Sequence, residues 1–204
     1  MSNFEYIIAS LPYLTADYRY EDGQGWKDVI DQIRENLSQK DSQVLNVLLD
    51  GFDAKNLNAD FYAAALSHPC KFIREYFRFD LNLRNAKVHF LNDALGRPAN
   101  QDIMDGKGGQ WDQDLEEFPQ AALVESALGS SSLLNREKGL DDITWDFVDS
   151  LGSFHYFDIT AVLTYVAKLH IVDRWLALDQ EKGRELFRQL VSQVRGTFKG
   201  VEFN

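Results

Sequence analysis

Asp80 and Arg84 carry the first chemistry that the chain offers. They lie four apart within FIREYFRFDLNLRNAKVHFLNDAL, residues 72–95. A carboxylate and a guanidinium at that spacing share one helix face and can pair. Asn82 and Asn85 add amides beside them. Arg84 also occupies a place in an otherwise apolar seam, Phe77, Leu81, Arg84, Val88, Leu91, Leu95. A guanidinium taken from water must be paired and hydrogen-bonded or it destabilises the fold. Two readings remain open: a structural polar knot that fixes the register of packed helices, or a recognition point for a partner chain.

Other chemistries fare worse. His68, His89, His155 and His170 show no metal-ligand spacing, and neither HExxH nor CxxC occurs. Gly106-Lys107-Gly108-Gly109 has the look of a phosphate loop, but Gly108 stands where a Mg²⁺-binding hydroxyl is needed, and no strand precedes it. Asp102, Asp105, Asp112, Asp114, Glu116 and Glu117 do not fall on the alternating positions of a Ca²⁺ loop. Asp141-Asp142 falls at a predicted helix start, where capping explains it. Cys70 is a lone thiol, read as a structural residue in a reducing compartment. No catalytic set, cofactor or metal follows from these residues, and the expectation is a protein that is not an enzyme.

The elements that position these residues are helices. At helical spacing the 72–95 stretch carries a second seam, Phe72, Tyr76, Phe79, Leu83, Ala86, Phe90, so this helix is expected to touch neighbours on two sides. The spacing places it over 70–95, with Pro69 tolerated in its first turn and Gly96 and Pro98 ending it. Before it, residues Phe4–Leu14 suit either a short extended piece or a helical turn. Amphipathic helices follow at Trp26–Leu37, at Val44–Leu49 closed by Asp50-Gly51, and at Phe61–Leu66 behind Asn58 or Asp60. After it, Pro119 opens a helix that Gly129 breaks, and a short one from Leu140 to Leu151 sits behind Gly139. A long one capped by Asp158 and a last one behind Asp179, with Leu186, Phe187, Leu190, Val191 and Val194 on one face, complete the chain. The class is mainly α: helical hairpins or a bundle around a long central helix, with at most one short N-terminal extended segment. The expected organisation is an N-terminal lobe at 1–96, an acidic linker at 97–118 and a C-terminal lobe at 119–204.

Composition narrows the partners. The chain has 204 residues, 45% hydrophobic and 26% charged, with a formal net charge of −11. That balance disfavours sequence-independent nucleic-acid binding and simple docking on anionic lipid, and favours a basic protein partner. The first residues have no basic leader region, and no uncharged run approaches a membrane span, so membrane work is expected only through other proteins.

YIIASLP near the N-terminus, LLDGFDAKNL at 48–57, FRFDLNLRNAKVHFLNDALGRP in the centre and ITAVLTYVAKLHIVDRWLALDQEKGRELFRQLVSQVRG in the tail resemble an uncharacterised bacterial family encoded beside components of V/A-type rotary ATPases. That family is similar to the ring-capping adaptor of those ATPases, which has a counterpart in the eukaryotic V-type enzyme. The adaptor's motif is an Asp followed by an Asn-Leu or Asn-Ile pair on a long helix. Asp53-Ala54-Lys55-Asn56-Leu57 keeps the spacing; Asp80-Leu81-Asn82-Leu83 is one residue shorter, with Asn85 as a further amide. The resemblance implies a helical, non-catalytic adaptor between the central stalk and the membrane rotor ring. It would sit in the cytoplasm, peripheral to the inner membrane through its partners. Asp53, Asn56, Asp80, Asn82, Arg84, Asn85 and, on the tail helices, Arg174 and Trp175 are the expected partner-contact or structural polar residues. The alternative is a stand-alone helical scaffold or regulatory protein-binding module.

Overall fold

The computed structural model describes residues 2–14, 18–21, 24–104 and 118–177. Eight helices run through them in order: α1 (Phe4–Ser10), α2 (Trp26–Glu35), α3 (Gln39–Asp50), α4 (Ala59–Leu66), α5 (Lys71–Ala94), α6 (Ala121–Leu128), α7 (Leu133–Gly152) and α8 (Ile159–Ala177). The described residues contain no strand, so the mainly α class holds and Phe4–Ser10 takes the helical option. The helix predicted behind Asp179 lies outside the described residues, as do residues 105–117 of the acidic segment.

α5 forms where the apolar spacing put it, and its ends are chemically marked. Cys70, half-buried, is the N-cap, so Pro69 stands before the helix and not in its first turn. Arg74 folds back and donates from Nη1 to the carbonyls of His68 (2.6 Å) and Pro69 (2.9 Å). At the other end Gly96 takes φ +63°. The Gly96 N–H donates to Asp93 O at 3.1 Å and the Arg97 N–H to Asn92 O at 2.8 Å. This is the paired closure that a left-handed residue after a helix allows.

α7 begins earlier than predicted. Ser132 caps it by accepting from the Asn135 N–H, and Gly139 lies inside it. The glycine is there for space: a Cβ at Gly139 would come within 2.9 Å of Ala127 Cβ on α6. Asp141 and Asp142 are consequently mid-helix, and capping does not explain them. At Gly152 a Cβ would meet Thr164 Cγ2 at 2.6 Å, so α7 and α8 also approach closely. Contacts between these two helices step in opposite directions, Gly152 with Thr164, Asp149 with Lys168 and Asp141 with Arg174, which makes an antiparallel hairpin.

Two cores result. The larger gathers Ile7, Val29, Ile33, Leu45, Leu48 and Tyr62 with Phe72, Ile73, Phe77 and Leu81 of α5, and it is completed by Val148 and by Val162, Leu163, Val166 and Leu169 of α8. It therefore draws on both sides of the 97–118 segment. The smaller joins Phe79 and Leu83 of α5 to Val124 and Leu140, with Phe79 stacked on Phe147 at 4.1 Å and edged by Phe118 at 5.7 Å. The two expected sides of α5 are both used, but the division runs partly along the helix, not seam by seam. Leu91 and Leu95, expected in the second seam, are 54% and 60% exposed; the chain that returns after the helix buries Asn92 on another side of the last turns and leaves these two in water.

α8 is also the mast to which the N-terminal segment is tied. Tyr165 donates to Pro12 O at 2.9 Å, and Tyr20 donates to Asp173 Oδ1 at 3.0 Å. His170 stacks on Phe52 at 4.0 Å, and Trp26 stands edge-on to both rings. Burial lowers the His170 pKa, Asp173 draws it back and Arg174 lowers it further.

The folded chain thus binds the His170 proton less readily than the unfolded chain does. Its contribution is fully present above the unfolded imidazole pKa of about 6.5 and is lost as pH falls through the lowered folded value. His68 is shifted the same way, so His170→Phe is expected to shrink, not abolish, the drop in unfolding midpoint between about pH 7 and pH 5. An equal drop in both proteins rejects this. Gly51 gives a second expectation. Its φ of −72° suits any residue, but a Cβ there would stand 2.2 Å from Phe77 Cε1 and 3.0 Å from Phe61 Cζ. Gly51→Ala should cost about 1–3 kcal/mol in urea unfolding, since Phe77 has no room to retreat.

Candidate functional site

Asp80 sits one turn before Arg84 on α5, and the pair forms as predicted: Arg84 Nε donates to Asp80 Oδ2 at 2.8 Å. Arg84 is only half-buried, its side chain 42% exposed, so the desolvation cost expected of it is partial. The same oxygen accepts from the hydroxyl of Tyr62 on α4 at 2.6 Å. Tyr62 is fully buried; burial first, then the Asp80 charge and hydrogen bond, keep its phenol protonated far above the ordinary range. The knot thus ties α4 to α5.

One turn further along α5, Lys87 is drawn into the same field. Burial lowers its pKa, while Glu137 of α7 raises it and Arg84 lowers it. Glu137 lies 3.6 Å from Arg174 Nη1, and the guanidinium also pairs with Asp141 of α7. Trp175 Nε1 donates to Asp141 Oδ2 at 2.7 Å. Burial raises the Asp141 carboxyl above its usual range, against the opposing pull of Arg174 and Trp175. Tyr76, in the core between the knots, feels Asp80, Arg84 and Asp141 together. Carboxylates and cations, with Arg84 and Lys87 as neighbouring like charges, therefore run from α5 across α7 to α8.

Asp141 also forms part of the wall of a groove of about 560 Å³ bounded by α7, α8 and the N-terminal segment. Leu14, Tyr18, Trp145, Ile171, Val172 and Trp175 give it apolar walls. Lys138 at its rim is paired with Asp142 at 2.7 Å, and Lys168 nearby lies over the Trp145 ring at 4.9 Å. An apolar groove with a few oriented polar groups is shaped for a ligand or a partner side chain. Of the polar groups in its wall, Asp141 is taken up by Arg174 and Trp175 and so ties α7 to α8, Lys138 and Asp142 pair within α7, and Arg19 donates to Tyr18 O at 2.7 Å. Among the described residues no group of three or more His, Cys, Asp or Glu could hold a metal ion, and no helix is long and apolar enough to cross a membrane.

The remaining expected residues separate. Asn85 is buried and clamps the backbone of Met104, donating to its carbonyl at 2.8 Å and accepting from its N–H at 3.2 Å. It does not join Arg84. Asn92, two turns on, does the same for the chain just after the helix, donating to Ala99 O at 3.3 Å and Gln101 O at 2.8 Å. The start of the acidic segment is thereby folded back along α5. Asn82 is half-buried and takes no part in the network. Asp53 and Asn56 are exposed in the turn between α3 and α4, not on a long helix; Asp53 Oδ1 accepts from the Lys55 N–H at 3.0 Å and Asn56 donates to Asp50 O at 2.9 Å. The spacing of Asn85 and Asn92, seven residues apart on one helix face, could have revealed the second clamp. Nothing in the sequence marks Tyr62 or Asp141, whose partners lie on other helices.

The family described as protein of unknown function DUF2764 matches residues 54–197, well over half of the chain. The chain belongs to this family. The matched region takes in α4 to α8, and with them both knots and the asparagine clamps. No curated protein and no solved structure matches the chain.

Arg174→Leu leaves the Asp141 carboxylate, 13% exposed, without its cation. The expected cost is about 1–3 kcal/mol, at the lower end because the arginine itself is half in water. Adding Asp141→Leu should recover part of that loss, so the two substitutions should not sum in a double-mutant cycle. Strict additivity would sink the pairing.

Proposed function

We propose that this protein is a non-catalytic adaptor or assembly component of a V/A-type rotary ATPase, acting between central stalk and membrane rotor ring. The resemblance to the ring-capping adaptor supplies the reading. The observation that carries it is the cross-bracing of neighbouring helices: Tyr62 to Asp80 between α4 and α5, the Phe79–Phe147 stack between α5 and α7, and Arg174 with Trp175 on Asp141 between α7 and α8. An adaptor that passes torque must resist sliding of one helix along the next. Apolar packing alone resists sliding weakly, because it is non-directional. Hydrogen bonds and ion pairs have short reach and fixed geometry, so they oppose it. Asp53, Asn56 and Asn82, which face water or lie half-buried outside the knots, remain the motif residues available to a partner. Attachment to the membrane would be through the ATPase.

The test is co-purification. The full chain, tagged and recovered from native membranes in mild detergent, is expected to bring central-stalk and rotor-ring proteins with it, and tagged stalk proteins should bring the chain. The purified chain alone should not hydrolyse ATP. Recovery without any ATPase component in either direction overturns the proposal.

A further inference from the structure

The turn between α7 and α8 turns aromatic rings towards water. Phe154 is 90% exposed, Tyr156 68% and Phe157 57%. The turn is nevertheless firmly built. Gly152 presses on Thr164 at its base, and the His155 N–H donates to Gly152 O at 3.0 Å. Asp158 closes it, one carboxylate oxygen 2.6 Å from His155 Nδ1 and the other accepting the Ala161 N–H at 3.0 Å. Phe154 takes φ +68°, a region unfavourable for a bulky side chain. Its ring, almost wholly in water, gains no packing in return. Glycine would suit the backbone better at that position, and nothing within the fold favours the aromatic there.

Clustered, pre-positioned aromatic rings are what the centre of a protein interface is made of. The charge around them selects the partner. Asp146, Asp149 and Asp158 flank the rings, and residues 146–158 contain no lysine or arginine. Lys168 of α8 pairs with Asp149 and neutralises it, which leaves Asp146 and Asp158 as the negative charge beside the rings, Asp158 being also engaged by His155 and the Ala161 N–H. With a chain charge of −11, a second copy or an anionic lipid surface would meet repulsion. We infer that the α7–α8 turn is an anchor that inserts Phe154, Tyr156 and Phe157 into an apolar socket on another protein, a socket rimmed by lysine or arginine. The inference stands on the turn's own residues and goes beyond the adaptor reading, whose available motif residues, Asp53, Asn56 and Asn82, lie in the α3–α4 turn and on α5.

The experiment places a benzoylphenylalanine cross-linker at Tyr156 of the full chain in native cells. The protein in the adduct is identified, purified and titrated against the wild-type chain, Phe157→Ser and Phe154→Gly, at about 50 and 300 mM salt. Expected are one discrete adduct, binding at least about tenfold weaker for each variant, and weaker binding at the higher salt. Phe154→Gly should at the same time raise the unfolding midpoint, which separates lost binding from lost folding. An adduct only with a second copy, pelleting on phosphatidylcholine vesicles in place of a protein adduct, no adduct, or unchanged affinity in both variants overturns the inference. An adduct with a protein outside the rotary ATPase supports the anchor and counts against the adaptor reading. Unchanged affinity for recovered ATPase proteins does the reverse.

Discussion

Helix α5 has to be covered twice. Phe72, Phe77 and Leu81 need one set of neighbours, Phe79 and Leu83 another, and each large apolar side chain left in water would forgo about 1.5–3 kcal/mol. α4 and α3 pack on α5 in the first core, which α8 completes, and α6 and α7 answer the second need. Because α7 and α8 form one hairpin, the two answers are linked: α7 adds Leu140 to the smaller core and Val148 to the larger. The glycines follow from the same constraint. Gly51, Gly139 and Gly152 stand where a helix end or helix face comes too close for any side chain.

Apolar faces tolerate small slips and rotations, and the polar knots remove that freedom. Asp80 accepts from two helices at once, and Asp141 from two consecutive residues of α8. Half-exposed pairs of this kind add little net stability. What they add is register, since a slip of one residue would strand a carboxylate away from its donors. The asparagine clamps work by the same logic on a loop: Asn85 and Asn92 donate to the carbonyls of Met104 and Gln101 and so fix the path of the chain as it doubles back.

The candidate site is legible in part. Asp80 and Arg84 can be paired from spacing alone, because the separation of residues four apart is a property of the helix itself. Arg174 and Trp175 can be singled out as polar-capable positions on a helix apolar on several sides, yet their acceptor cannot. Asp141 reads as a cap from its neighbours in sequence and is the acceptor instead. Asn85 reads as a companion of Arg84, but its side chain points to the returning chain. The Asp53–Leu57 motif keeps its spacing while lying in a turn. In each miss the deciding contact lies outside the local pattern, and most often on another element, at a distance in sequence that carries no periodic signal.

Local order is thus written in the chain: the helical class, the length of α5 to within a residue at each end, its stop at Gly96, and the Asp80–Arg84 pair internal to it all follow from backbone geometry and the spacing of apolar residues. Only the assembled protein decides which helix faces which. That choice is settled by burying all the large side chains together, a condition on the whole core and not on any window of residues. The tying of Tyr62 to Asp80, of α8 to Asp141, and the exposure of the aromatic turn at Phe154 are consequences of that global packing.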